Sequence, residues 1–556
     1  MGSRAWLWGL VPPLLAGAGL RGFRLREQIL IGDELHAVNA AVARPVGEIV
    51  TQWTYHGADY CVPLAALYRL LLDAGVQLSE LGFRAPVLAA SLLLVVAVPL
   101  ALRHRLGRRA CLVLAWLLAL SPMLVLYGRM VRSYAPAVLL AFAAVVTFDR
   151  WWRDRSRGAA AAYAALAAGA VYFHLGAAPL VGAPILYAVL ETLVDRRGAP
   201  AAERARALLP LAVPLAGLTV LLAALLLPAR QSLVELAGLH GDGAFPDPAT
   251  WLDVARLQLG TSAFSLVAVA VGVAARGAWI LYRRDARFGL YLLTLAAVHT
   301  GWLLLFAPHL FQHLLVVNRY FLLLLPFLLA LLALGLASPW TSRPSRVARI
   351  AQDAGVAALL AALFATGPLV GDRFRTSPFT HAPTSLTFTA AEDRVDADAP
   401  PGFYRELATA ASGGEVVLEY PWMNVASHAF DAYQRVHRRP LRVGSLNRLH
   451  EDPRLGLRNT LPAHPEDFLE SGARYVVVHT DLKAEEAQVR TRKFLFAERL
   501  IELDELWRVL RAGGARMSVR LEEAWGPPVY VDDAIRVWDL ERVRRRAGHA
   551  RVAPWN

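Results

Sequence analysis

The chain has 556 residues, of which 56% are hydrophobic, and a formal net charge of +13; its mean hydropathy is +0.39. That is too apolar for a single soluble domain of this length. The positive charge does not argue for a nucleic-acid partner, because the arginines stand in short clusters between apolar runs.

In chain order, apolar runs predict eleven membrane helices, at 6–20, 85–102, 110–126, 134–148, 159–173, 177–194, 208–227, 262–282, 288–306, 320–336 and 354–370. Several are shorter than the roughly 20 residues that a bilayer core needs, so flanking residues must complete them. The first run, with Arg4 ahead of it, reads as an anchor or as a cleaved signal peptide. On either reading the loop after it is exported. The loops alternate in charge. Arg103, Arg105, Arg108 and Arg109 follow the second run, and Arg150, Arg153, Arg155 and Arg157 the fourth. Arg196, Arg197, Arg204 and Arg206 follow the sixth, Arg283, Arg284 and Arg287 the eighth, and Arg343, Arg346 and Arg349 the tenth. The positive-inside rule makes these five loops cytoplasmic, which puts loop 21–84 and the C-terminus outside.

Loop 21–84 has structure of its own. Leu35, Val38, Val42 and Ile49 fall near helical spacing, which predicts an amphipathic helix on the membrane surface. Val62 to Leu72 forms a second apolar stretch, and Gly57, Ala58, Asp59 and Pro63 mark the turn between the two. Beyond 370 the long apolar runs end. Strand-like runs at 415–420, 474–480 and 534–540 alternate with polar helical patterns, as in an α/β domain. The predicted fold class is therefore an α-helical polytopic membrane protein with a C-terminal exported α/β domain. The boundaries fall at 1–371 for the transmembrane domain and 372–556 for the exported one. The two cysteines, Cys61 and Cys111, provide neither a disulfide framework nor metal-type spacing.

Three constellations could carry chemistry. Asp33-Glu34 stands at the start of the exported loop. Asp favours a helix N-cap and Glu the first turn, so the pair can be read as a cap. It can equally be read as a general base, with the carboxylate accepting the proton of an attacking hydroxyl. The second is Tyr127-Gly128-Arg129-Met130-Val131-Arg132-Ser133-Tyr134, a short outer loop. Arginines on that side run against the orientation bias. They would suit a phosphate, to which the guanidinium fork donates two parallel hydrogen bonds, or would anchor headgroups. The third is Asn318-Arg319-Tyr320, preceded by His309 and His313. The two histidines are weak candidates for a divalent metal, since no carboxylate stands near them in sequence. His56 and His174 are lone histidines of the same kind.

Together these residues resemble the membrane glycosyltransferases of the GT-C superfamily, with closest similarity to bacterial relatives of the protein O-mannosyltransferases and the lipid A aminoarabinose transferases. The resemblance runs from Gly32 to Trp151. It rests on Asp33-Glu34, on Val62-Pro63-Leu64 through Leu72, and on Gly75, Ser79-Glu80 and Arg84-Ala85-Pro86. It rests further on Ala119-Leu120-Ser121-Pro122, on Tyr127, Arg129, Arg132 and Tyr134, and on Arg319-Tyr320 at the start of a late span. It is diffuse through the remaining spans and thin over the exported domain. Two departures bear on acceptor choice. Asp59-Tyr60-Cys61-Val62-Pro63 stands where relatives carry His-Pro-Pro, and Ser133 where proline is usual.

The resemblance implies inverting sugar transfer from a polyprenyl-phosphate-linked donor to an acceptor hydroxyl at the outer face of a bacterial cytoplasmic membrane. Asp33 would be the base, and Glu34 would orient the acceptor or help hold a metal. Arg129, Arg132 and Arg319 would bind the donor phosphate. Tyr127, Tyr134, Tyr320, His56 and Asp59 would position substrate. The partners implied are the lipid-linked donor, membrane lipids and a lipid, glycan or protein acceptor, with no nucleic acid. No cofactor is certain, and a divalent metal is left open. The alternative class is a polytopic transporter or scaffold for lipid-linked glycans. A transporter calls for ionisable groups mid-membrane, and the apolar runs are almost free of them, Glu191 lying near an end.

Overall fold

The computed structural model describes residues 3–23, 25, 34–55, 58–59, 61–76, 78–238, 245–261, 263–312, 314–339, 345–369, 400–410, 415–421, 433, 436–437, 439, 464–469, 471–483, 493–496 and 499–548. Among the described residues, each predicted apolar run falls largely on helix. Among the described residues, seven helical stretches are long and apolar enough to cross a membrane, including Leu81–Leu106, Tyr134–Asp154 and Phe264–Arg284. The other four runs fall on shorter or interrupted helices: Val11–Gly22, Arg108–Leu120, Arg157–Phe173 and Leu325–Ala337.

The interruptions have local causes. Arg108–Leu120 stops at Ser121-Pro122, where proline lacks an N–H and drives the residue before it out of the helical region. Ser121 accordingly has ψ 117° and begins the next helix, Pro122–Tyr127, its side chain accepting from the Leu124 N–H. The late run is split in a similar way into Leu314–Phe321 and Leu325–Ala337, with Pro326 in the first turn of the second piece.

Within a bilayer, helices associate through close packing, because lipid tails are as apolar as the helices. Phe264–Arg284 and Leu325–Ala337 meet at Gly277 and Gly335. A Cβ at Gly277 would stand 1.9 Å from the Leu331 carbonyl oxygen, and one at Gly335 2.0 Å from that of Val273. Arg276 beside this contact donates from Nη2 to the carbonyls of Ser338 (3.3 Å) and Pro339 (2.7 Å), capping the end of the shorter helix.

A second arginine joins three elements. Arg21, at the end of Val11–Gly22, is fully buried. Its Nε donates to Ser91 Oγ (2.7 Å), Nη1 to the carbonyls of Gly17 and Ala119 (3.1 Å each) and Nη2 to that of Leu118 (3.3 Å). The guanidinium thus satisfies carbonyls at the end of Arg108–Leu120, which the break at Pro122 leaves without helical donors.

The segment after Val11–Gly22 contains helices that pack against protein. Glu34–Ala43, Val46–Thr51 and Val62–Asp73 are helical. Val38 and Ile49 are buried, while Leu67 and Leu70 are exposed. Ala37, Val38, Ile49, Trp53 and Tyr68 form one buried cluster with Phe83, Val87, Val131 and Ala135 of the membrane helices and the arginine loop. Within this cluster Tyr68 donates its hydroxyl to the Phe83 carbonyl (2.5 Å). Strands β1 (Thr54–Tyr55) and β2 (Ala58–Asp59) form a short ladder in the same segment.

The C-terminal region contains β3 (Val417–Tyr420), β4 (Tyr475–His479), the antiparallel pair β5 (Lys493–Phe496) and β6 (Arg499–Glu502), then β7 (Tyr530–Val531) and β8 (Ile535–Asp539). A four-stranded sheet runs β3-β4-β8-β7, with β3 parallel to β4 and the other pairs antiparallel. Alternation divides its side chains between two cores. Val417, Val477 and Val537 pack with Tyr404 and Trp507 on one face; Leu418, Val476, Val478 and Trp538 pack with Phe468 on the other. The predicted strand runs at 415–420, 474–480 and 534–540 match β3, β4 and β8.

Candidate active site at one membrane face

Residues 128–133 connect Pro122–Tyr127 to Tyr134–Asp154 without regular structure. Arg129 and Arg132 on this stretch are each 8% exposed. Arg129 Nη1 donates to the Leu20 carbonyl (3.4 Å), and the Arg132 guanidinium lies 5.8 Å from the Tyr134 ring centre. Buried arginines need partners of their own, so their surroundings decide what they can do.

Glu34 fixes this loop. It is 1% exposed and Arg84 is 0% exposed. Arg84 Nε and Nη2 donate to Glu34 Oε1 (3.2 Å) and Oε2 (3.0 Å) in a fork. Glu34 Oε1 also accepts from the Val131 N–H (2.9 Å). The carboxylate therefore joins the start of Glu34–Ala43, the start of Glu80–Leu106 and the backbone midway between Arg129 and Arg132. Asp33 itself lies outside the described residues, but its chain neighbour is bonded into the arginine loop.

Arg319 arrives from the far part of the chain. Its Nε donates to Tyr127 Oη (3.2 Å) and Nη1 to Tyr134 Oη (3.3 Å), and the guanidinium lies 5.7 Å from the Tyr134 ring centre. The two tyrosine rings meet edge to face at 4.8 Å. The aromatic contacts continue from Tyr134 to His174 (5.3 Å) and from His174 to Tyr320 (5.0 Å). Gly176 makes room for that last contact, since a Cβ there would lie 2.5 Å from a Tyr320 ring carbon. His174 follows the helix Arg157–Phe173, and its Nδ1 accepts from the Gly176 N–H (3.0 Å). Burial, then the charges of Arg132, His299 and Arg319, push the imidazole down to about 3, so it is neutral and fit to accept. Two further bonds hold the Arg319 segment: Gln258 Nε2 reaches Asn318 Oδ1 (2.9 Å), and His299 Nε2 reaches the Tyr320 carbonyl (3.0 Å).

In fold, the chain aligns with the crystal structure of ArnT from Cupriavidus metallidurans in the apo state, over 97% of this chain and 98% of that one, at 14% identity and a TM-score of 0.53. The chain has the GT-C fold. The same ArnT bound to undecaprenyl phosphate aligns over 89% of this chain and 97% of that one, at 14% identity and TM-score 0.49. The apo oligosaccharyltransferase of Archaeoglobus fulgidus aligns over 88% and 72%, at 12% identity and TM-score 0.46. No protein-family model matches the chain, and no curated protein matches it in sequence.

On this GT-C scaffold, Tyr127, Arg132, Tyr134, Arg319, His174 and Tyr320 are linked by contacts. Glu34 accepts from the Val131 N–H between Arg129 and Arg132, and Arg129 donates to the Leu20 carbonyl. Asp33, His56 and His313 lie outside the described residues, as do the side chains of Asp59 and His309. Among the described residues no group of three or more His, Cys, Asp or Glu could hold a metal ion. Sequence reasoning gave Arg84, Arg21 and Gly176 no role and left His174 as a lone histidine. Arg84 carried the same signal as Arg129, an arginine at the outer end of an apolar run. The place of His174 between two tyrosines comes from tertiary packing alone.

Proposed function

We propose that the chain is a glycosyltransferase that moves a sugar from a polyprenyl-phosphate-linked donor to an acceptor hydroxyl, with inversion, at the outer face of a bacterial cytoplasmic membrane. One observation carries this reading. Arg319 and the Tyr127–Tyr134 segment, remote in sequence, meet through hydrogen bonds beside the Arg129–Arg132 stretch that Glu34 fixes. Asp33 precedes Glu34 directly, so a base and a set of cations share one neighbourhood.

In the proposed reaction, Asp33 takes the proton of the acceptor hydroxyl while its oxygen forms a bond to the anomeric carbon. The bond from that carbon to the phosphate oxygen breaks, and its electron pair leaves with the polyprenyl phosphate. Arg129, Arg132 and Arg319 stabilise the charge gathering on that phosphate. A phosphate leaving group has a low pKa and needs no general acid. Glu34 acts here by holding the loop, in place of the acceptor-orienting or metal-binding role the sequence suggested, because its oxygens are engaged by Arg84 and Val131. Tyr127 and Tyr134 orient the Arg319 guanidinium, and His174 supports the Tyr134 and Tyr320 rings.

The test is transfer from a radiolabelled polyprenyl-phosphate sugar by the purified full-length protein. Asp33→Asn keeps size and removes proton affinity, so the rate should fall roughly 10²–10⁴-fold with donor binding intact. Unchanged turnover in a folded Asp33→Asn protein would reduce the acidic pair to a helix cap. Donor binding without transfer by the wild-type protein would favour a transporter or scaffold. The proposed orientation is tested by reporter fusions at Gly57 and Gly413, both expected outside. A cytoplasmic signal from either overturns it.

A further inference from the structure

The membrane face opposite the arginine–tyrosine site holds a second polar cavity that the proposed transfer does not use. Glu80–Leu106 carries Arg84 near its start and Arg105 near its end. At 1.5 Å per residue these lie roughly 30 Å apart, about the thickness of a bilayer core. The cavity at the Arg105 end has a volume of about 240 Å³ and is lined by His104, Arg105, Asp149, Arg150, Arg153 and Asp154, with apolar walls that include Phe288. That is smaller than the roughly 300–1,000 Å³ of pockets for drug-sized ligands, and suits a headgroup better than a whole cofactor.

Its charges divide into two sets. The inner set is committed. Arg105 reaches Asp149 (2.9 Å) and Asp285, and its guanidinium lies 4.5 Å from the Phe288 ring centre. Arg153 also pairs with Asp149 (2.6 Å). The outer set is Arg150 and Asp154, both exposed and one helical turn apart on Tyr134–Asp154. Neither forms an ion pair with any other described residue. A cation one turn before an anion is the weaker arrangement on a helix, so this pair gains little by closing on itself. One free charge of each sign therefore stands at the rim of a cavity with apolar walls.

We propose that this cavity binds a zwitterionic phosphodiester of the phosphoethanolamine class, as carried by a phospholipid headgroup in the leaflet on that side. Arg150 takes the phosphate through guanidinium N–H donors, and the Asp154 carboxylate accepts from the primary ammonium. The apolar wall receives the glycerol and first acyl carbons. A quaternary choline has no N–H to give Asp154, and a glycerol headgroup has no positive charge, so the cavity discriminates among lipids that all carry phosphate.

The experiment uses the full-length protein, delipidated in detergent, with lipid retention read by native mass spectrometry. Phosphatidylethanolamine, phosphatidylcholine and phosphatidylglycerol are supplied at equal mole fraction. Phosphatidylethanolamine should be retained about tenfold over the other two, the scale of one charge-assisted hydrogen bond. Asp154→Asn should abolish its advantage over phosphatidylglycerol, and Arg150→Gln should lower retention of all three. Both positions are exposed, so the fold survives these changes. Competition by soluble glycerophosphoethanolamine assigns the source within the proposal. Displacement shows that the headgroup suffices, and its failure shows that a bilayer lipid is required. Equal retention of the three lipids, or an ethanolamine preference unchanged in both variants, overturns the proposal.

Discussion

The arginines at the two membrane faces behave differently. At the arginine-rich face, Arg153 and Arg287 are 51% and 72% exposed and pair with Asp149 and Asp195 in water. At the site face, Arg84, Arg129 and Arg132 are buried; Arg84 meets a carboxylate fork, Arg129 a backbone carbonyl, and the half-buried Arg319 two phenol oxygens. Such exposed arginines as the first two can orient the chain by number and sign, because each is solvated. Those at the site face must be built residue by residue, because a desolvated guanidinium is tolerated only where its donors are matched.

The contrast predicts a graded series. Glu34→Gln leaves Arg84 buried without its carboxylate and should destabilise the protein by about 3–5 kcal/mol, read as thermal unfolding in detergent. Glu34→Leu combined with Arg84→Met should recover much of that stability, since apolar replacement of a buried pair is often neutral. It should not recover transfer, because the Val131 N–H still lacks its acceptor. If activity returns with stability, Glu34 is merely structural. At Arg319 the expected losses concern donor binding. Replacement by Ala should weaken it by about 1.5–3 kcal/mol, and Lys should fall between, keeping the charge but losing the fork onto Tyr127 and Tyr134. Equal affinity in Lys and wild type would show that charge alone matters there. The smallest effect belongs to the opposite face. Arg153→Ala should shift stability by roughly 0–1 kcal/mol and leave transfer unchanged, and a larger loss would erase the distinction drawn between the faces.

Much of the fold was legible in sequence because membrane helices announce themselves by apolar length, and β3, β4 and β8 by short apolar runs. The breaks were harder. Ser121-Pro122 was visible as a motif, but only the structure shows it dividing one apolar run into Arg108–Leu120 and Pro122–Tyr127. β7 is two residues long and offers no run to read, whereas the β5–β6 ladder holds Phe494, Leu495, Phe496, Leu500 and Ile501, a short apolar signal that the sequence reading passed over. At the site, Arg129, Arg132 and Arg319 could be singled out because they contradict the orientation bias. Their surroundings could not. The Glu34–Arg84 fork spans fifty residues and the Arg319–Tyr134 bond 185, and no local pattern encodes such pairings.

Arg21 also bears on how the chain matures. The apolar segment before it could be an anchor or a leader removed on export. Cleavage at the end of that segment would take away the first helix and free the guanidinium that engages Ser91, Leu118 and Ala119. Two carbonyls at a helix end and one hydroxyl would then need new donors in a dry interior, at a cost of about 1–3 kcal/mol each. The mature protein should therefore retain its first helix. Intact-mass measurement of the membrane-extracted protein should find a chain that still contains Trp6, and a mass that begins beyond residue 20 would mean that another group has taken over the work of Arg21.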